Sequence, residues 1–223
     1  MNPEKVSNSE GTNIGYWEQI LQAPTPAYQE LFNSEKKYIL ENITEDSKVL
    51  DIGCGDGRNM KSILERTENV TGVDNDKKAV EDAKEKFKDK GNVNLVVAEA
   101  TNLPFESETF DTVTFLMIIP NLNEARSAAI KESVRVLKLG GNMIISSFSE
   151  NAFEERMKIY EQVHAPIEKI EGTKVIFNKN LGANTSEQFS KEELESFGNE
   201  AGLTLIDCQK IGNIAYICKF KKK

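Results

Sequence analysis

Between residues 48 and 148 the chain alternates short apolar runs with longer stretches in which apolar positions recur every three or four residues. The runs are Val49-Leu50-Asp51-Ile52, Val70-Thr71-Gly72-Val73, Val93 to Val97, Phe110 to Leu116 and Asn142 to Phe148. Each has the length and continuity of a strand buried on both faces. The stretches between them read as amphipathic helices. Arg58 to Thr67 follows the first run; Asp76 to Asp89 sets Ala79, Ala83 and Phe87 on one face with Val80 beside them. Glu124 to Lys138 repeats the plan with Ile130, Val134 and Leu137 and stops at Gly140-Gly141, as a left-handed cap would. This rhythm predicts an α/β fold: a doubly wound, mostly parallel sheet with right-handed crossovers and helices on both faces.

The flanks break the rhythm. Residues 1 to 13 are polar; then Tyr16, Trp17, Ile20 and Leu21 share a helical face, Pro24 and Pro26 interrupt it, and Tyr28, Leu31 and Phe32 begin a second helix. Glu35 to Asn42 reads as a further helix with Ser34 as its cap. The rings of Tyr16, Trp17 and Tyr28 either close over a ligand as a lid or anchor this segment to the domain. From Ser149 to Ser190 the pattern is irregular, with one helix carrying Phe153, Met157, Tyr160, Glu161 and His164 and a strand at Thr173 to Phe177. Ser190-Lys191-Glu192-Glu193 has the spacing of a capping box, and opens a helix with Leu194, Phe197 and Ala201 inward. Leu203 to Gln209 and Ile214 to Phe220 close the chain as an antiparallel pair around Gly212-Asn213. The expected organisation is a tail and helical lid (1–45), an α/β core (46–148), an insertion over the active face (149–190) and a C-terminal helix and strand pair of the same domain (191–223).

Charge narrows the partners. With 28 basic and 36 acidic residues the net charge is −8, which disfavours a nucleic-acid backbone as ligand. The Lys221-Lys222-Lys223 end reads as a frayed, solvated terminus. Cys54, Cys208 and Cys218 are scattered, form no C-x-x-C pair and read as reduced thiols, so no metal site is expected and the cytoplasm is the expected compartment. No apolar run approaches the length that spans a bilayer.

Chemistry concentrates after the first strand. Val49 to Gly57 reads VLDIGCGDG, with Gly53, Gly55 and Gly57 spaced G-x-G-x-G before a helix. Glycines let backbone approach a bound molecule, and the first N–H groups of the next helix are free to face it. A pyrophosphate turn wants G-x-G-x-x-G. Here the third glycine comes one residue early, and Asp51 and Asp56 beside the turn suit a cation or amine better than a phosphate. About twenty residues on, the second strand ends at Asp74, where a carboxylate can accept both ribose hydroxyls.

This turn resembles the first motif of class I S-adenosylmethionine-dependent methyltransferases. Further segments extend the resemblance over residues 48 to 148: Val70 to Asp74, Glu99-Ala100-Thr101-Asn102-Leu103-Pro104-Phe105, Phe110 to Leu116, and Arg135 to Gly141. The resemblance implies a seven-stranded sheet with its last strand antiparallel, and S-adenosyl-L-methionine as cofactor. It further implies that Asp51 and the turn at Gly53, Cys54, Gly55 and Gly57 meet the methionine end, Asp74 the ribose, Asn75 a face of the adenine, Glu99 its amino group and the Ala100 N–H its ring, with Leu116 at the end of the fourth strand. The implied reaction is an in-line displacement of the methyl group by a nucleophile.

Past the fourth strand the chain reads Met117-Ile118-Ile119-Pro120-Asn121, an apolar wall without an Asn-Pro-Pro-Tyr-like grip, which points to a small, partly apolar acceptor. His164, the one histidine, is a candidate base, and Tyr160 one turn earlier a candidate for shaping the pocket. The competing readings are a non-catalytic cofactor-binding subunit or sensor and a nicotinamide-dependent oxidoreductase.

Overall fold

The computed structural model describes residues 16–90, 92–178 and 185–223, with side chains from residue 19 onward. Strands β1 (Val49–Ile52), β2 (Val70–Asp74), β3 (Val93–Val97), β4 (Phe110–Leu116), β5 (Leu137–Phe148), β9 (Leu203–Ile211) and β10 (Ala215–Lys222) form one sheet in the order β3-β2-β1-β4-β5-β10-β9. β1 pairs in parallel with β2 on one side and β4 on the other, so strand order reverses at the end of β1. β10 runs antiparallel to both β5 and β9.

Helices α3 (Arg58–Ile63), α4 (Lys77–Lys86), α5 (Arg126–Val136) and α7 (Lys191–Glu200) connect the strands. Two apolar clusters result, one containing Val49, Met60, Val80 and Ile144 and the other Leu50, Phe115, Ile130 and Ile145. Neighbouring residues of one strand thus fall into opposite layers, as the pleat requires. Asp76 caps α4 by accepting from the Lys78 and Ala79 N–H groups, and Ser190 with Glu193 forms the full capping box of α7.

Several boundaries differ from the sequence reading. Ser34 starts no helix: α1 (Tyr16–Gln22) is followed by one continuous α2 (Pro26–Asn42), because Pro26 fits the first turn and nothing after it breaks the ladder. α5 stops at Val136, and Leu137 to Gly141 already belongs to β5, with Gly140 at φ 71° where the pairing with β4 shifts register. Lys222 is strand and donates to the Val134 and Leu137 carbonyls, so the lysine end is not frayed up to that residue. Cys208 and Cys218, read as thiols, oppose each other in β9 and β10 and are joined as a disulfide; Cys54 is free.

The segment after β5 holds α6 (Phe153–Gln162) and a second sheet of β6 (Ile167–Glu171), β7 (Lys174–Phe177) and β8 (Thr185–Ser186). Arg156 of α6 is completely buried and ties the segment together. It donates to the Thr173 carbonyl (3.0 Å), Gln188 Oε1 (2.8 Å) and the Ser186 carbonyl, and lies 5.1 Å from the Phe148 ring. Where the segment leaves and rejoins the core, the Phe189 N–H donates to the Phe148 carbonyl at 2.9 Å.

Candidate functional site

The turn after β1 is fixed from below. The Gly53 and Cys54 N–H groups both donate to the Val73 carbonyl (2.7 and 3.0 Å), binding the turn to the end of β2. Gly53, Gly55 and Gly57 have φ of 71°, 53° and 91°, the left-handed region in which a Cβ is costly. Close packing explains two of them: a Cβ on Gly53 would stand 2.2 Å from Ile118 Cδ1, and one on Gly57 2.2 Å from Phe87 Cε2. Over Gly55 a Cβ would meet nothing within 4 Å, so the middle of the turn is open.

Asp74 joins this turn. Its Oδ2 accepts from the Gly55 N–H at 2.8 Å and its Oδ1 from the Asp76 N–H at 2.9 Å; each oxygen keeps a lone pair for a hydroxyl. Asn75 and Glu99, from the ends of β2 and β3, meet at 3.3 Å, and the Ala98 N–H donates to the Asp74 carbonyl at 3.0 Å. The residues that the resemblance assigned to ribose and adenine are therefore neighbours, with Asn75 and Glu99 exposed and Ala100 half-buried.

Asp51 is buried at 1 % exposure beneath the turn. Thr114 Oγ1 donates to its Oδ1 at 2.6 Å, while Oδ2 is buried without a partner. Desolvation pushes its carboxyl up to about 7; nearby Glu35 and Asp74 push the same way, and the Thr114 bond and Arg58 pull against them. Burial also pushes the Cys54 thiol up, which makes it packing rather than a nucleophile. The charge of Asp56 is met within the chain, Lys86 Nζ pairing with its Oδ2 at 2.5 Å.

Leu116, at 3 % exposure, ends β4. Met117 follows at φ 57°, its N–H donating to the Ser146 carbonyl and Oγ, both at 3.0 Å. This turns Ile118 against Gly53. Tyr160 is buried, donating to Ser186 Oγ at 2.8 Å with its ring 5.2 Å from that of Phe177. His164 lies past the end of α6, exposed and at φ 51°, and so does not share the helical face expected for it with Tyr160. Tyr28 is 2 % exposed and packs edge-on against Phe32 and Phe148, which fits the anchoring alternative. The rings of Tyr16 and Trp17 lie outside the described residues. Glu35, Arg58, Thr114 and Ser146 also reach the site, and the sequence reading missed them; only Arg58, next to the last glycine, carried a signal of position.

An open glycine turn at the switch point, an acid on the neighbouring strand end and a buried carboxylate with one unfilled oxygen define an α/β nucleoside site for a ligand with a cationic end. The donor set suits S-adenosylmethionine: Asp51 has an unfilled acceptor for an ammonium, and Asp74 has acceptor capacity for ribose hydroxyls. Residues 50–145 match the family model described as a methyltransferase domain. The chain is 33% identical over 170 residues to the demethylmenaquinone methyltransferase of Staphylococcus saprophyticus, covering 73% of this chain and 72% of that protein. A second relative, the ubiquinone/menaquinone biosynthesis C-methyltransferase UbiE of Shewanella pealeana, is 37% identical over 120 residues, 51% of this chain and 47% of that one. Among solved structures, the fold matches the Burkholderia thailandensis 1,6-didemethyltoxoflavin-N1-methyltransferase, solved with S-adenosylhomocysteine, at a TM-score of 0.69 and 16% identity over 92% of this chain and 82% of that one. It also matches PH0226 protein of Pyrococcus horikoshii at 0.68 and 24% identity over 90% of this chain and 93% of that one.

The chain belongs to the class I S-adenosylmethionine-dependent methyltransferases. It is an enzyme whose cofactor is S-adenosylmethionine, and the nicotinamide reading is set aside.

Proposed function

We propose that this methyltransferase acts on a small, planar, largely apolar acceptor of the hydroquinone class. The observation that carries the reading is the contact of Ile118 with Gly53: its half-buried side chain, next to half-buried Met117, makes an apolar wall at the turn assigned to the methionine end. A flat apolar ring packs against such a wall, whereas an amine or amide would need polar partners there. The name of the Staphylococcus saprophyticus relative, a methyltransferase of demethylmenaquinone, supports the same class.

In this reading Asp51 and the Gly53–Gly57 turn, Cys54 included, hold the methionine end. Asp74 holds the ribose, and Asn75, Glu99 and Ala100 hold the adenine. The cofactor supplies a methyl group activated on a sulfonium. The chain's own contribution is alignment and exclusion of water by Leu116, Ile118 and the segment of α6 to β8, with Tyr160 fixing the inner side of that segment through Ser186. His164 would have to act from an exposed turn. Among the described residues no helix is long and apolar enough to cross a membrane. We assign the cytoplasm as the compartment, which fractionation of the producing cell checks.

The test is transfer from methyl-labelled S-adenosylmethionine to a panel comprising a short-chain demethylmenaquinol, a catechol and a primary amine, read by mass spectrometry. Label in the quinol or catechol supports the reading, and label confined to the amine overturns it. Asp74→Ala is expected to weaken cofactor binding about tenfold or more by calorimetry, since charged hydrogen bonds contribute roughly 1.5–3 kcal/mol each.

A further inference from the structure

Glu35 lies in α2, outside every recognised motif, and is completely buried. A buried carboxylate needs compensation, and both its oxygens have it. Oε1 accepts from Ser146 Oγ at 2.5 Å and Oε2 from Arg58 Nη2 at 2.7 Å. Ser146 Oγ in turn accepts from the Met117 N–H at the end of β4. Phe32, one turn before Glu35 in the same helix, lies 4.5 Å from the Arg58 guanidinium. Helix α2 therefore holds Arg58 by one edge and one face.

That grip leaves donors over. A guanidinium has five N–H groups on two edges, and no other hydrogen bond from that of Arg58 is formed among the described residues. Its side chain stays 27 % exposed while that of Glu35 is fully covered. Asp51, with its unfilled Oδ2, feels the charge of Arg58. A carboxylate and a guanidinium thus flank one glycine turn, each with capacity to spare. Opposite charges so placed match the ammonium and carboxylate of an α-amino acid. Glu35 and Phe32 together fix the direction in which the remaining edge of the guanidinium lies.

We propose that Glu35 is a positioning residue that holds Arg58 ready for the carboxylate of the cofactor's methionine end, making α2 a working part of the cofactor site. The assignment rests on the reading of Asp51 and the glycine turn as that end, and is independent of the acceptor. The test is calorimetric titration of wild type, Arg58→Gln and Glu35→Gln with S-adenosylmethionine, its decarboxylated form and 5′-methylthioadenosine. Arg58→Gln is expected to weaken S-adenosylmethionine about tenfold or more and the decarboxylated compound less than about twofold. Glu35→Gln should give the same split at roughly three- to tenfold, and 5′-methylthioadenosine should bind all three proteins alike.

A merely structural role would weaken all three ligands together. Equal losses for the two sulfonium compounds, or an unchanged Glu35→Gln, overturn the assignment. Should Glu35→Gln not fold, Phe32→Leu removes the stacking half of the same grip and is read by the same split. A wild-type protein that binds none of the compounds overturns the site reading and this assignment with it.

Discussion

Asp51→Asn isolates the cost of burying a carboxylate under the glycine turn. Asp51 is 1 % exposed, and its carboxyl is raised from 3.8 to about 7, chiefly by desolvation. In the unfolded chain the group ionises at its ordinary value, so between those pH values the folded state holds a proton that the unfolded state has lost. Stability therefore falls as pH rises through this window. A difference of about three pH units corresponds to about 4 kcal/mol, of which roughly 2–3 kcal/mol is lost between pH 5 and 8.5. For a chain of this size that range is roughly 5–10 °C in melting temperature. The assay is thermal unfolding of cofactor-free wild type and Asp51→Asn across this range. The melting temperature of the variant relative to wild type should climb by that amount from low to high pH. Saturating S-adenosylmethionine should reduce the climb, because an ammonium beside Asp51 stabilises the ionised form. Melting curves that stay parallel across the pH range would refute the burial argument, whatever the absolute stability of the variant.

Three further outcomes are expected. Gly53→Ala places a methyl 2.2 Å from Ile118 Cδ1 at a backbone φ of 71°; it should cost roughly 1–3 kcal/mol and weaken cofactor binding, and Ile118→Ala in the same chain should recover part of both in melting and titration experiments. Arg156→Met strips the donors from the Thr173 and Ser186 carbonyls; a loss of about 3 kcal/mol and faster proteolytic cleavage within residues 149–190 should follow, read by limited digestion. His164→Ala should retain methyl transfer within about twofold, since the ring sits on an exposed turn and the usual gain from a general base is about a hundredfold or more; a loss of that size would make His164 the base after all.

What the sequence disclosed follows from how local each signal is. The turn at Gly53 to Gly57 and the acid at Asp74 were legible because strand, turn and helix are consecutive, and because their backbone geometry demands particular residues. Ser190 with Glu193 was legible for the same reason. β6 was missed because IEKIE is mostly exposed and mixes charge into its alternation, and β8 because two residues carry no period. Leu137 to Gly141 misled because a glycine pair that ends a helix also permits a strand irregularity. Glu35 was invisible: an acid among the charged positions of α2 looks solvated until Ser146, 111 residues away, and Arg58 are found around it. Asp56 and His164 carried suitable chemistry; in the structure Asp56 pairs with Lys86 and His164 sits on an exposed turn, neither of which the local sequence showed.

The neck at which Phe148 and Phe189 are joined backbone to backbone bears on how this enzyme could change its acceptor. Everything between those residues, including Arg156, Tyr160 and the small sheet, leaves and re-enters the core at one place. The residues assigned to the nucleoside and its amino-acid end lie before it in the chain. Because the ends already meet, doubling the length of the intervening segment adds only about 0.6 kcal/mol of closure entropy. The segment also shares the core through Ile159, Tyr160 and Val175, so a relative's version grafted between these two residues is expected to transfer acceptor preference, with the affinity for S-adenosylmethionine unchanged, only where it keeps those apolar positions.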